Sequence, residues 1–275
     1  MELQIDQKKV YCYTGGKTFD SNLPCLVFLH GAQNDHSVWA LQSRYFAHHG
    51  YAVLAPDLPA HGQSEGPALS SIEAMANWLL ELLSQCTAQS FILIGHSMGS
   101  LIATELAARW PATGPQLRGL ALLGCSFPMK VSEQLLDAAL HQPELAIELV
   151  TQWSHYRASH QPSAPGPGFS IPNMSRRLMQ SIWKKNQEAV FHIDFSACNN
   201  YQNGLVAAQS ITQKCFFMIA KNDLMTPAKA SLAYSQHFKQ AQISYIAESG
   251  HAMMAEQADA VRQQLRTYFQ ACLAE

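Results

Sequence analysis

Phe91-Ile92-Leu93-Ile94-Gly95-His96-Ser97-Met98-Gly99-Ser100-Leu101-Ile102-Ala103 is the stretch from which the fold is read. Its first four residues are an apolar run that reads as a buried strand. Gly95-His96-Ser97-Met98-Gly99 follows, and then residues 101–109, strong helix formers with apolar side chains at helical spacing. Ser97 thus stands between a strand and a helix, with a glycine two residues away on each side. A sharp strand-to-helix turn holds its central residue at strained backbone angles, and a side chain at either flank would crowd it. The turn lifts the Ser97 hydroxyl clear of the sheet at a helix N-terminus. There, unpaired amide hydrogens and the helix dipole favour developing negative charge. The competing reading is a plain connection whose serine only caps the helix.

Outward from this stretch the strand–helix rhythm repeats. Residues 3–6 and 9–13 read as a hairpin, residues 25–29 as a compact strand, and residues 37–50 as a helix ending at Gly50. Residues 51–55 are the next strand, and 71–85 a helix capped by Ser70 or Ser71. Residues 117–123 form a further strand. The alternation implies an α/β chain with a mostly parallel, doubly wound sheet. From about Phe127 to Gln209 no buried strand is visible. Residues 132–140, 144–153 and 175–187 read as helices, with a Pro/Gly-rich loop at 161–168. The rhythm returns with strands at 215–219 and 243–246 and helices at 227–238 and 253–273.

Composition excludes several classes. The chain has 275 residues, enough for one α/β domain with an insertion. Hydrophobic residues make up 48% and charged residues only 14%, with a net charge of −2. That is a globular chain without a basic surface for nucleic acid or for a membrane. No run approaches the length of a membrane span, and residues 1–6 carry no leader pattern. The seven cysteines are scattered without CxxC spacing, as expected of reduced thiols in a cytoplasmic protein. No zinc-ligand spacing, phosphate loop or dinucleotide fingerprint occurs, so no metal or cofactor is expected.

Gly-x-Ser-x-Gly between a strand and a helix is a nucleophile elbow, and with it the chain resembles the α/β-hydrolase family. The resemblance covers nearly the whole length. It implies the α/β-hydrolase fold, with residues 1–126 and 210–275 as the core domain and 127–209 as a helical cap. In the family a histidine after the last strand is the base, a position held here by His251 in Glu248-Ser249-Gly250-His251. The acid that fixes its tautomer corresponds to Asp223 in Ala220-Lys221-Asn222-Asp223. Some relatives carry the acid one strand earlier, but Leu123-Gly124-Cys125-Ser126 has no carboxylate there. The oxyanion hole corresponds to the backbone amides of Ala32, after His30-Gly31, and of Met98. Asp57, His61 and Ser64, in a loop where this chain has Ala60 in place of the family's usual glycine, read as structural. Cys125 reads as a buried inert thiol, and Arg176-Arg177 with Lys184-Lys185 as a solvated basic face.

The expected activity is hydrolysis of small to medium carboxylic esters through an acyl-enzyme on Ser97. Thioesters and lactones are variants of the same acyl transfer. C–C bond hydrolysis and perhydrolysis use the same residues in the family, and a hydrolase-fold receptor with little turnover is the rival of a different class. The partner is a small-molecule ester, with no nucleic acid and no membrane; the motifs do not address oligomeric state. Phe127, Trp153, Tyr156 and Met253 are candidate pocket residues, although aromatics at helical spacing also suit a core. A cap bearing these residues, with Met129 and Phe169 beside the run 162–168, implies a covered pocket. It favours soluble short-to-medium acyl esters over triglyceride emulsions.

Overall fold

The apolar run at residues 91–94 lies in the middle of an eight-stranded sheet. The computed structural model describes residues 1–156, 170–186 and 189–274. Its strands are β1 (Glu2–Ile5), β2 (Lys8–Tyr13), β3 (Cys25–Leu29), β4 (Ala52–Pro56), β5 (Ser90–His96), β6 (Gln116–Leu123), β7 (Lys214–Ala220) and β8 (Ala241–Ile246). They lie in the order β1-β2-β4-β3-β5-β6-β7-β8. β1 and β2 form the antiparallel hairpin, and β2 runs antiparallel to β4. From β4 to β8 every pairing is parallel. Such strands are covered on both faces, which is why 25–29 and 91–94 are continuous apolar runs without alternation.

Eleven helices are described: α1 (Ala40–Ala47), α2 (Ile72–Ser84), α3 (Met98–Ala108), α4 (Glu133–His141), α5 (Pro143–Ser154), α6 (Ile171–Lys185), α7 (Val190–Asn200), α8 (Gly204–Ser210), α9 (Ala228–Ser235), α10 (Met253–Glu256) and α11 (Ala258–Leu273). One sheet face packs on α2, α3, α8 and α9 through residues such as Leu79, Ile102, Ala208 and Tyr234. The other packs on α1 and α11 through Phe46, Leu265 and Phe269. Helices α4 to α7, between β6 and β7, gather around a separate apolar cluster of Leu135, Ile147, Met179, Phe191 and Phe195. The C-terminal part of α7 and α8 instead joins the main core through Cys198, Tyr201 and Ala208.

Several boundaries differ from the sequence reading for identifiable reasons. Residues 37–50 divide into a 3-10 turn (His36–Trp39), capped by the Asp35 carboxylate on Ser37 N–H, and α1. Residues 253–273 break at Gln257, whose non-helical φ of −132° and ψ of 49° separate α10 from α11. Helix α6 starts at Ile171, before the expected residue 175, because Ser170 caps it and Pro172 suits a first turn. Helix α7 escaped the pattern because its inward face carries Asp194, and α8 because it is short and without charge. The Pro/Gly-rich run 161–168 lies outside the described residues.

Candidate active site

The serine at the centre of the quoted stretch has φ +54° and ψ −121°, a left-handed conformation costly for any side chain. The neighbouring glycines are what make the turn possible. A Cβ on Gly95 would collide with the carbonyl of Gly99, and one on Gly99 with the carbonyls of Leu29 and His30. The Ser97 N–H donates to Leu123 O at 3.0 Å, anchoring the strained residue to β6. Helix α3 begins at Met98, which is fully buried behind the turn.

Asp223 follows β7 and His251 follows β8, so two parallel strands deliver both side chains to the same sheet edge. His251 Nδ1 lies 2.7 Å from Asp223 Oδ2. Asp223 is 5% exposed, and burial alone would raise its pKa. His251 and the hydrogen bonds of Thr226 hold it below the ordinary carboxylate value. Thr226 Oγ1 donates to Oδ2 at 2.7 Å, and the backbone N–H groups of Met225 and Thr226 donate to Oδ1 at 2.8 Å each. With the carboxylate an acceptor, Nδ1 carries the imidazole proton and Nε2 is left to act on its other side. Gly124, just after β6 in the segment that would carry the alternative acid, has φ +55°, and a Cβ there would approach the His251 ring to 2.9 Å. His96 Nε2 donates to His251 O at 2.9 Å, fixing the loop from below.

The loop after β3 brings up two more histidines. His30 Nδ1 donates to Gly31 O at 2.9 Å, and its Nε2 accepts from Leu58 N–H at 3.1 Å. Both ring nitrogens are satisfied in the neutral form. Burial, with His61 nearby, pushes the pKa of His30 down to about 4. Asp57 is buried and structural, as the sequence implied: it accepts from His36 N–H, His36 Nδ1 and Gln63 N–H at 2.8 Å each. Asp35, His36 and Asp57 do bring three metal-type ligands together, but their atoms are engaged in these bonds and in the Asp35 cap on Ser37.

Asp194 is a polar residue of the site whose position the sequence did not reveal. It projects from α7 and is fully buried. Its Oδ2 accepts from Gln33 N–H at 2.8 Å and faces His61 Nε2 at 2.9 Å. The partners are 161 and 133 residues away, so no local pattern could link them. His61 Nδ1 faces the carbonyl of Pro59 at 2.9 Å, so that nitrogen also donates. Burial alone would lower the pKa of His61; Asp194 outweighs it and holds the value above the ordinary one.

Ser97, His251 and Ala32 line a single cavity of about 400 Å³. Val150, Leu178, Met179, Phe191, Phe195 and Met225 form much of its wall, so the lining is mainly apolar. Its volume lies in the range of small-ligand sites. Polar residues interrupt the wall, among them Asn34, Ser37 and Ser154 and the pair His155–Ser175: His155 Nε2 lies 3.0 Å from Ser175 Oγ, and its Nδ1 faces Thr151 O at 2.8 Å.

The four expected pocket residues do not line this cavity. Phe127 packs against Tyr201 and Tyr234, with ring centroids 5.7 and 5.5 Å apart. Trp153 packs on the apolar cluster of α4 to α7. Met253 is buried beneath the sheet with Ile94 and Leu123. Tyr156 donates its backbone N–H to Glu256 at 2.7 Å. The error on α5 is one of phase: Val150 and Ser154, four residues apart, face the cavity, and Trp153 lies about 100° further around the helix. Met254, not Met253, is the lining methionine of α10.

A parallel sheet with a strained serine at the strand–helix turn, beside a buried His–Asp pair, defines the architecture of a hydrolase fold. The sequence profile of the alpha/beta hydrolase family matches residues 26–264, and the chain belongs to that family. Among solved structures, the enol-lactonase from Burkholderia xenovorans LB400 superposes with a TM-score of 0.83 at 19% identity, covering 98% of this chain and 100% of that one. A thermophilic esterase superposes with a TM-score of 0.78 at 20% identity, covering 99% and 98%. Protein ABHD8 of Bos taurus is 25% identical over 187 residues, 62% of this chain and 42% of that protein. The chain therefore matches less than half the length of that relative. An (E)-2-((N-methylformamido)methylene)succinate hydrolase of Acinetobacter baylyi is 36% identical over 87 residues, 31% of this chain and 33% of that protein. Among the described residues no helix is long and apolar enough to cross a membrane.

Proposed function

We propose that the protein is a serine hydrolase that cleaves small to medium carboxylic esters through an acyl-enzyme, with helices of the 127–209 segment as its cap. The observation that carries this reading is the convergence of strained Ser97 and the His251–Asp223 pair on one largely apolar cavity. Ser97 Oγ attacks the ester carbonyl while His251 Nε2 takes its proton. Asp223 holds the Nδ1 proton and stabilises the imidazolium that forms. The amides of Ala32 and Met98 receive the oxyanion. The tetrahedral intermediate collapses, His251 returns the proton to the departing alcohol, and water then repeats the sequence on the acyl-enzyme to release the acid. The cavity volume and its apolar wall favour an uncharged acyl group of short to medium length. Lactones and thioesters are the nearest variants, and the fold shared with an enol-lactonase makes lactones the first to be screened.

The test is covalent. A fluorophosphonate should label the wild-type chain once, at Ser97, and Ser97→Ala should fold, escape the label and lose nearly all turnover of aryl esters. Labelling that persists in Ser97→Ala would overturn the assignment.

A further inference from the structure

Ala32, proposed as an oxyanion donor, is followed by Gln33, a non-glycine residue at φ +52°. A residue in that conformation is held there by its surroundings. Two contacts do so, and both come from the segment between β6 and β7. The Gln33 side-chain amide donates to Met179 O on α6 at 3.0 Å. Its backbone N–H donates to the Asp194 carboxylate on α7 at 2.8 Å. The same carboxylate oxygen faces His61 Nε2, and the His61 ring packs against the His30 ring with centroids 4.9 Å apart. One buried carboxyl side chain therefore ties α7 to the loops that follow β3 and β4.

A charge removed from water is costly unless paired, and a simple docking contact between helices and core would be cheaper if apolar. What a carboxylate offers here is a strong, directional acceptor for the amide that continues the oxyanion loop. Donors aimed at a developing oxyanion act through pre-set geometry, and a shift of some tenths of an ångström weakens them in the transition state more than in the ground state. We propose that Asp194 is a positioning residue: by holding the Gln33 N–H it fixes the Ala32–Gln33 peptide, and through the Ala32 backbone this sets the orientation of the Ala32 N–H in the preceding Gly31–Ala32 peptide, so that docking of α7 and completion of the oxyanion hole are one event. This inference rests on the serine-hydrolase reading.

The experiment uses the full chain in three forms: wild type, Asp194→Leu, which keeps volume and removes the acceptor, and Asp194→Asn, which keeps an acceptor oxygen. Active sites are titrated with a fluorophosphonate. Kinetics with a soluble aryl ester are then expressed per titrated site, beside the affinity for a trifluoromethyl ketone that mimics the tetrahedral intermediate. For Asp194→Leu, kcat per site should fall ~10–100-fold with KM within ~3-fold, and the ketone should weaken in parallel; full removal of a donor costs about 10²–10³. Asp194→Asn should stay within ~5-fold of wild type. If Asp194→Leu yields no folded protein, Asp194→Ala is measured in the same way. Unchanged kcat per site and ketone affinity in the acceptor-less variant, with loss confined to melting temperature or titratable sites, would overturn the proposal. A wild type that neither titrates nor turns over ester fails the serine-hydrolase reading instead.

Discussion

Asp223 remains a carboxylate in a buried site because every acceptor position nearby is supplied with a donor. Burial alone would favour the protonated acid, while His251, the Thr226 hydroxyl and two backbone amides favour the anion. That balance makes two substitutions informative. Asp223→Asn keeps the shape but offers an amide that cannot hold the same imidazole tautomer, and kcat should fall ~10³–10⁴-fold with the fold intact, as such changes do in serine hydrolases. Thr226→Val removes one neutral donor and leaves the two backbone amides, so kcat/KM should fall only ~10–150-fold, the scale of one hydrogen bond to a charged group. Steady-state kinetics on both variants check the ranking. A Thr226→Val loss as large as that of Asp223→Asn would mean that the hydroxyl, not the carboxylate, orients His251.

Elements explain what the sequence could and could not tell. The strand 91–94 and the glycines at 95 and 99 were legible because each is a local pattern tied to a local requirement, a buried strand and a close backbone approach; Asp223 and His251 were legible through the family resemblance, and the structure places them 2.7 Å apart after β7 and β8. The parallel direction of the strands from β3 to β8, though not their order across the sheet, followed from the alternation of elements. The cavity wall was not legible, because which face of α5 looks inward depends on its docking against α6, a packing fact about non-local partners. Periodicity identifies an apolar stripe, and Val150 and Trp153 both pack on the same apolar cluster, but only Val150, with Ser154, also lines the cavity. The phase can be tested. Val150→Trp places bulk in the cavity and should shift the preferred acyl chain of an aryl-ester series to shorter lengths. Trp153→Ala should leave that profile in place and lower stability by about 3–5 kcal/mol or somewhat less, since Trp153 is only partly buried. A changed profile in Trp153→Ala, with none in Val150→Trp, would reverse the assignment of faces.

At the scale of the whole molecule, the buried histidines couple folding to pH. His30 sits near 4, through burial and its neighbour His61, and His96 near 3, through burial and its neighbour His251. The chemistry agrees. His96 Nε2 donates to the His251 carbonyl and its Nδ1 has no partner to receive a second proton's bond. His30 Nε2 accepts from Leu58 N–H and has no room for a proton of its own. In the unfolded chain both titrate near ~6.5. Below that pH the unfolded state binds protons that the native state refuses, so stability present at neutral pH is lost as pH falls from ~6.5 toward the folded values. His61 and His36 have the opposite sign. Their folded pKa values are raised, by Asp194 and Asp57 against the opposing effect of burial, so their contribution is complete below ~6.5 and declines only as pH rises through those values. Asp223, held below the usual carboxylate value, loses its contribution only under more acidic conditions, below ~4. The window from ~6.5 to ~4.5 is therefore governed by His30 and His96, each contributing a slope that approaches ~1.4 kcal/mol per pH unit. Urea melts across that window should show unfolding free energy falling steadily with acidity. His30→Gln, which retains one donor and one acceptor in place of the ring nitrogens, should reduce the slope by about half whatever its stability at pH 7. A flat wild-type curve, or an unchanged slope in His30→Gln, would mean that these rings accept protons in the folded state and that the loop after β3 opens to let them.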